Sequence, residues 1–261
     1  MKFSNWLNES RGQKLDLSET IEIVQKNCKQ ILENYKKNAN YIYRGIKSTD
    51  DYIFIEPKKH VRKSANTANY YTLLFDHILP SWKKFPQRSE SIICTTRRDS
   101  AASYAQGAPH IILPFDNAKI GVCPKSDIWM SFLMDMDLTE FNDNLEFYME
   151  LAGQLKSDVE SNPNSLKKAL EETGKFMKNN KEEIEANPDY KWYSLFYSLF
   201  MNYNGTFLQF LNNLLDPSKN NFELIKPKDN IGKFKMNEMW TESPSIMIKE
   251  TKIVDFLVIH T

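Results

Sequence analysis

The sequence predicts an α+β fold: a sheet contributed by early and late strands, with a helical segment set between them. Three observations predict it. Short apolar runs bounded by Pro, Asp, Asn or Gly cluster between residues 41 and 122. Residues 138–215 contain almost no strand signal and three helical patterns, and strand-like segments return after Lys228. With short linkers, no internal repeat and no low-complexity segment, residues 1–261 are expected to form a single domain, with 138–215 a helical insertion within it.

The spacing of Ile21, Val24, Cys28, Ile31, Leu32 and Tyr35 paints one helical face over 16–37, and Asp16 with Glu19 forms a capping-box pattern at its start. Tyr41-Ile42-Tyr43-Arg44-Gly45 reads as a strand ending at the glycine, and Asp50–Ile55 as a second. The stretch from Arg62 to Leu79 begins polar and turns apolar at helical spacing before Pro80 breaks it. Strands are predicted at Ile92–Cys94, Ile111–Leu113 and Ile120–Val122, with a short helix at Ser100–Tyr104. Helices follow at about 138–157, 164–185 and 189–214, separated by the turn-rich SNPNS and ANPDY. The last strands are placed at Trp240–Thr241, Ile246–Ile248 and Ile253–Ile259.

Composition narrows the function. The 261 residues carry 34 basic and 34 acidic side chains, which argues against nucleic-acid binding by bulk electrostatics while leaving room for a local contact. Neither a GxGxxG nor a GxxxxGK[ST] run occurs, so Rossmann and P-loop readings are poor. Cys28, Cys94 and Cys123 are far apart and odd in number, as reduced thiols are, and His60, His77, His110 and His260 show no metal-ligand spacing; no metal is expected. No apolar run of about 18 residues occurs, and the opening MKFSNWLNES lacks the apolar stretch of a signal peptide. A cytoplasmic protein with no membrane partner is expected.

Four segments carry candidate chemistry. Arg44 ends a predicted strand in an apolar context, where a guanidinium is suited to clamping a phosphate or orienting a ribose; a surface ion pair is the plainer alternative. Cys94-Thr95-Thr96 ends another strand in hydroxyls before an Ala-rich helix, and those hydroxyls are equally suited to capping that helix. Arg62 and Ser64 precede a predicted helix start that is able to hold a phosphate. Arg88 and Ser91 enter the triplet strand, at a cleft mouth or in an edge salt bridge, and Trp129 reads as core or as a lid.

The order of these segments resembles the ADP-ribosyltransferase family, in the branch described by an Arg, Ser, Glu triad. YRG resembles its arginine strand, ICTTRRDSAASYA its triplet strand with the trailing helix, and MNEMW its late glutamate strand. The resemblance spans 41–124 and, more loosely, 231–260. It implies a split-sheet core with flanking helices, NAD as substrate, and a mono-ADP-ribosyltransferase that modifies a macromolecular acceptor, a protein or locally a nucleic acid. Glu238 takes the catalytic glutamate's place, with Glu242 the alternative; Arg44 and Gly45 stand at the NAD diphosphate or ribose. Thr95 or Thr96 takes the hydroxyl role, Ser64 a phosphate, and Tyr104 or Tyr71 stacks on nicotinamide. The chain departs from the family at two points, Cys94 where the triplet begins with serine and M-x-E where ExE or QxE stands. Two further readings follow: a non-catalytic virion or interaction protein with a vestigial cleft, and an NAD glycohydrolase. The opening MKFSNWLNES is similar to those of many small tailed-phage proteins, which adds the expectation of a phage enzyme acting in the host cytoplasm.

Overall fold

A computed structural model describes residues 12–59, 69–132 and 136–258. The described chain folds into two compact units. The first takes residues 12–59, 85–128 and 221–258, and the second residues 69–84, 129–132 and 136–220. Arg62 and Ser64 lie outside the described residues.

The first unit is built on a nine-stranded sheet in which every described pairing is antiparallel. Its strands are β1 (Gln13–Lys14), β2 (Tyr43–Arg44), β3 (Tyr52–Ile55), β4 (Ile92–Thr95), β5 (His110–Pro114), β6 (Ile120–Val122), β7 (Glu223–Ile225), β8 (Glu238–Thr241) and β9 (Ser245–Lys249). Their order across the sheet is β1-β3-β9-β5-β2-β4-β8-β6-β7. Early and late strands therefore share one sheet. The link between its halves is narrow: β2 is two residues long, meets β5 through Tyr43↔Ile111 and Arg44↔His110, and meets β4 through Tyr43↔Thr95 alone.

Helices α1 (Leu17–Asn27) and α2 (Lys29–Asn38) bury Val24, Ile31, Leu32 and Tyr35 in the same core as the strand residues Ile92, Cys94, Ile112 and Met239. The break at Cys28 corrects the single helix expected over 16–37. Its cause is remote: Asp116 Oδ1 accepts from Gln30 N at 2.8 Å and so caps α2 from a loop far along the chain. Tyr35 donates its hydroxyl to Ile112 O at 2.6 Å and accepts from Ile42 N at 3.2 Å, which locks α2 to the segment entering β2. Asn34 donates to Pro227 O and Asp229 O, and Asn40 to Ile231 O and Phe234 O, so the approach to β8 is tied down as well. The short helix after β4, α4 in chain order, runs Arg98–Ala102.

The C-terminal run expected as a strand is a helix, α10 (Ile253–Val258), within the described residues. Ile253 and Phe256 are buried and Leu257 packs against the core, while Val254 is exposed. That is helical spacing, which a short apolar run of β-branched residues conceals. Strands β1 and β7 have no counterpart in the sequence expectations.

The second unit is helical, with α3 (Tyr70–Leu73), α5 (Leu138–Leu151), α6 (Pro163–Asn179), α7 (Lys181–Ala186), α8 (Tyr190–Met201) and α9 (Phe207–Leu214). Helix α3 continues as a π-helical turn, Leu74–Ile78, closed by Leu79 N donating to Leu74 O at 2.8 Å. The expected helix over 164–185 divides at Asn180 and that over 189–214 at 202–206, where Thr206 and Gln209 form a new capping box. Phe141, Tyr148, Phe196, Phe200, Phe207 and Phe210 make the core, with ring centroids 4.8–6.1 Å apart in the contacts among these six. No helix among the described residues is long and apolar enough to cross a membrane.

Candidate functional site

Three neighbouring strands bring the sequence candidates together. Tyr43 on β2 pairs with Thr95 on β4, and Thr95 pairs with Glu238 on β8, so the arginine strand, the triplet strand and the glutamate strand lie side by side. Arg44, the residue after Tyr43, donates from Nη1 to Ile93 O and so lies against β4. Gly45 is needed here for close approach: a Cβ would come within 2.0 Å of Ala101 O and 2.8 Å of Tyr104 Cβ, on the chain of α4 and its exit.

The hydroxyls have local partners. Thr95 Oγ1 accepts from Arg97 N at 3.0 Å, a turn that leads into α4. Thr96 is buried; its Oγ1 accepts from Asn237 N at 2.9 Å, and its own N donates to Asn237 O at 3.0 Å. Thr96 therefore fastens the residue just before Glu238. Cys94 is buried, its thiol donating to Ile92 O at 3.5 Å. Burial pushes that thiol up to about 12, with Arg44 acting to lower it and Glu238 to raise it, so both charges bear on this one point of β4.

Glu238 opens β8. Its Oε1 lies 2.8 Å from Arg88 Nη1, and its side chain is 13% exposed against 4% for Arg88. Cys123 Sγ lies 3.6 Å from the same oxygen. Backbone bonds fix the strand start on that side, Cys123 N donating to Glu238 O at 2.8 Å and Glu238 N to Lys125 O at 3.0 Å. Asn237 Nδ2 donates to Cys123 O at 2.8 Å, and Cys123 and Asn237 both line a cavity of about 290 Å³ with Glu223, Lys233 and Phe234.

Glu242 is placed differently. It lies beyond the end of β8, 3.2 Å from Lys58 Nζ, and accepts from Gln87 N at 3.2 Å, beside a separate cavity of about 450 Å³. It does not pair with the triplet strand, whose cross-strand neighbours run from Glu238 to Thr241.

The remaining candidates separate. Tyr104, just past α4, is 63% exposed. Tyr71 belongs to the helical unit, buried with its ring 5.0 Å from Trp129 and 5.8 Å from Phe75, so it is a core residue there, while Trp129, weighed as core or lid, is half-buried against it. Arg88 forms a salt bridge, but a buried one with Glu238 rather than one at an edge. The roles of Asn237 and Cys123 beside Glu238 have no signal in the sequence, because each depends on pairing between distant strands.

A carboxylate fixed at a strand start, with a hydroxyl directly across on the next strand, is suited to stabilising positive charge that develops on a bound substrate. Among the described residues no group of three or more His, Cys, Asp or Glu side chains comes together to hold a metal ion. No protein-family model matches this sequence, and no curated protein or solved structure matches it either.

Proposed function

We propose that this chain is a mono-ADP-ribosyltransferase that cleaves NAD and transfers ADP-ribose to a macromolecular acceptor. The observation that carries the reading is the adjacency of β2, β4 and β8, with Tyr43, Thr95 and Glu238 in register and Arg44 next to Tyr43. The narrow junction at β2 supports a sheet split into two halves. The resemblance of YRG, ICTT and the late glutamate to the family supplies the order of the same three strands.

In this reading the bond between nicotinamide nitrogen and ribose C1′ breaks, and nicotinamide leaves neutral with the bonding electron pair. Positive charge develops on C1′ and the ring oxygen. The Glu238 carboxylate accepts a hydrogen bond from a ribose hydroxyl and so stabilises that charge, as carboxylates do in glycoside hydrolysis. Arg44 holds the diphosphate or ribose by its guanidinium, Thr95 aligns the ribose across from Glu238, and exposed Tyr104 offers a ring to nicotinamide. The acceptor's nucleophile attacks C1′ and releases its proton.

The test is incubation of the purified chain with adenylate-labelled NAD and lysate. Label in protein or nucleic acid, together with free nicotinamide, supports transfer. Nicotinamide release without label replaces it with the glycohydrolase reading. No turnover together with no NAD binding by calorimetry leaves the non-catalytic interaction protein. Glu238→Gln is expected to lower turnover by about 10²–10³-fold, and Glu242→Gln to leave it within a few-fold. The reverse pattern would move the catalytic role to Glu242.

A further inference from the structure

The pair formed by Arg88 and Glu238 is unusual in being a buried charge pair assembled from remote parts of the chain. Arg88 sits on a 3-10 turn, Arg88–Glu90, just ahead of β4. Its guanidinium carbon lies 5.1 Å from the centroid of the Trp240 ring, and its Nη1 lies 2.8 Å from Glu238 Oε1. Trp240 and Glu238 are two residues apart on β8, so one strand face offers both the ring and the carboxylate.

That ring is itself held. Trp240 Nε1 donates to Pro86 O at 2.8 Å, and Phe85 stacks on it with centroids 5.9 Å apart. On the facing strand, Gly121 leaves the space: a Cβ there would lie 2.3 Å from the Trp240 ring. Glu242 accepts from Gln87 N, so the segment 85–88 is fastened to β8 and its exit at two points. The guanidinium is therefore delivered to a fixed place.

Fold stability is a poor explanation for such a device. Removing two charges from water costs about as much as their attraction returns, and well-packed apolar residues often replace a buried pair at no loss. Orientation is a better one. Arg88 Nη1, in ion-pair contact without hydrogen-bond geometry, and the Cys123 thiol both lie against Oε1, which leaves Oε2 as the oxygen to meet a substrate hydroxyl. A carboxylate with one oxygen anchored is restricted in where its other oxygen can point, and misplacing a reacting group by about 1 Å costs about 10²-fold in rate.

We propose that Arg88 is a positioning residue for NAD cleavage, holding Glu238 by Oε1 so that Oε2 faces the ribose. This rests on the reading of Glu238 as the catalytic carboxylate. The test is steady-state nicotinamide release by the full chain and by Arg88→Met, Arg88→Gln, Arg88→Lys and Glu238→Gln, each checked for folding by circular dichroism. Arg88→Met and Arg88→Gln are expected to lower kcat about 10–100-fold with the KM for NAD within about threefold, and Arg88→Lys to recover part of the loss. If Met at this position prevents folding, the Gln variant is read in its place. An unchanged kcat in a folded variant overturns the proposal, as does a raised KM with kcat intact, which would make Arg88 a substrate contact. The two readings fail separately. Loss of activity in Glu238→Gln with full activity in the Arg88 variants sinks only the positioning role. A wild-type chain without NAD turnover sinks the catalytic reading of Glu238, and the positioning role with it.

Discussion

The sheet unit and the helical unit bury polar groups in different ways. In the helical unit three large buried or part-buried side chains are neutral donors that rest on carbonyls: Trp82 Nε1 donates to Leu215 O at 2.9 Å, Tyr148 to Tyr193 O at 2.9 Å and Tyr197 to Met177 O at 3.3 Å. Stacked and edge-on rings fill the space between helices. In the sheet unit a charge pair is buried, Arg88 with Glu238, and the polar side chains around it fix the start of β8 against β4 and β6. Packing by rings holds helices together without dictating where any one polar atom points. A buried ion pair does dictate it, at a desolvation cost, and that is the property a reacting carboxylate needs. The candidate chemistry and the costly interaction fall in the same unit for this reason.

The two units also differ in how far they could be read from the sequence. Helical spacing is a local signal, and the apolar faces over 138–215 led to helices there, with errors at the breaks near Asn180 and before Thr206 and at the end of the first helix, which stops at Leu151 and not near 157. In the sheet unit the strand segments were legible, because Ile92–Cys94, Ile111–Leu113 and Ile120–Val122 are apolar runs with clear turn residues at their ends. Their register was not. That Thr95 faces Glu238, that Thr96 holds Asn237, and that Arg88 reaches Glu238 each depend on residues well over a hundred positions apart. The same holds for the break at Cys28, since the Asp116 carboxylate that caps α2 comes from the loop after β5. Thus Arg44, Thr95 and Glu238 were found as types on strands, whereas the bonds that orient them were invisible until the strands were paired.

The largest expected difference between the units comes from a glycine in each. A Cβ at Gly121 would lie 2.3 Å from the Trp240 ring, and one at Gly174 in α6 would lie 2.3 Å from Phe207 Cβ. Strands β6 and β8 are hydrogen-bonded neighbours and cannot part, so Gly121→Ala must swing a buried tryptophan away from Pro86 and Arg88. Helices α6 and α9 share no ladder and are free to slide, and alanine gains about 1 kcal/mol of helix propensity over glycine. Gly121→Ala is expected to cost about 3 kcal/mol and Gly174→Ala about 1 kcal/mol, read as urea-unfolding midpoints. Equal costs would mean that the sheet yields as readily as the helices, and would weaken the case for a rigidly supported Arg88.

A smaller difference is expected at the two aspartate caps. Asp16 accepts from Glu19 N at 2.8 Å at the start of α1, whereas Asp137 Oδ1 accepts from both Thr139 N at 2.7 Å and Glu140 N at 2.9 Å at the start of α5. In each, the glutamate returns a bond to the cap residue's own N–H at 3.0 Å. Replacing either aspartate by alanine is expected to cost about 1 kcal/mol, with the larger loss at Asp137, where two helix N–H groups lose their acceptor. Thermal melts of the two variants side by side would show it. The opposite order would indicate that α1, packed beneath the sheet, depends on its cap more than α5 does.

The smallest effect sharpens the electrostatic side of the comparison. On α5, Asp143 and Glu146 both titrate above their ordinary range, through desolvation first and then through neighbouring carboxylates: Asp137 and Glu140 for Asp143, and Glu160, Asp143 and Glu150 for Glu146. The raised direction sets the sign. The folded state binds these protons more tightly than the unfolded chain, so the penalty on the charged form is present at neutral pH and is relieved as pH falls through the folded-state value. Both side chains are exposed, and solvent screening keeps the cost small. Glu146→Gln is therefore expected to stabilise the helical unit by about 0.3 kcal/mol at pH 7, and the gain should vanish towards pH 4, where the wild-type carboxyl is itself protonated. Melting curves at both pH values test the sign as well as the size. A gain that persisted in acid would point to helix propensity instead of charge, and the helical unit's polar groups would then have no electrostatic cost to set against the buried ion pair of the sheet.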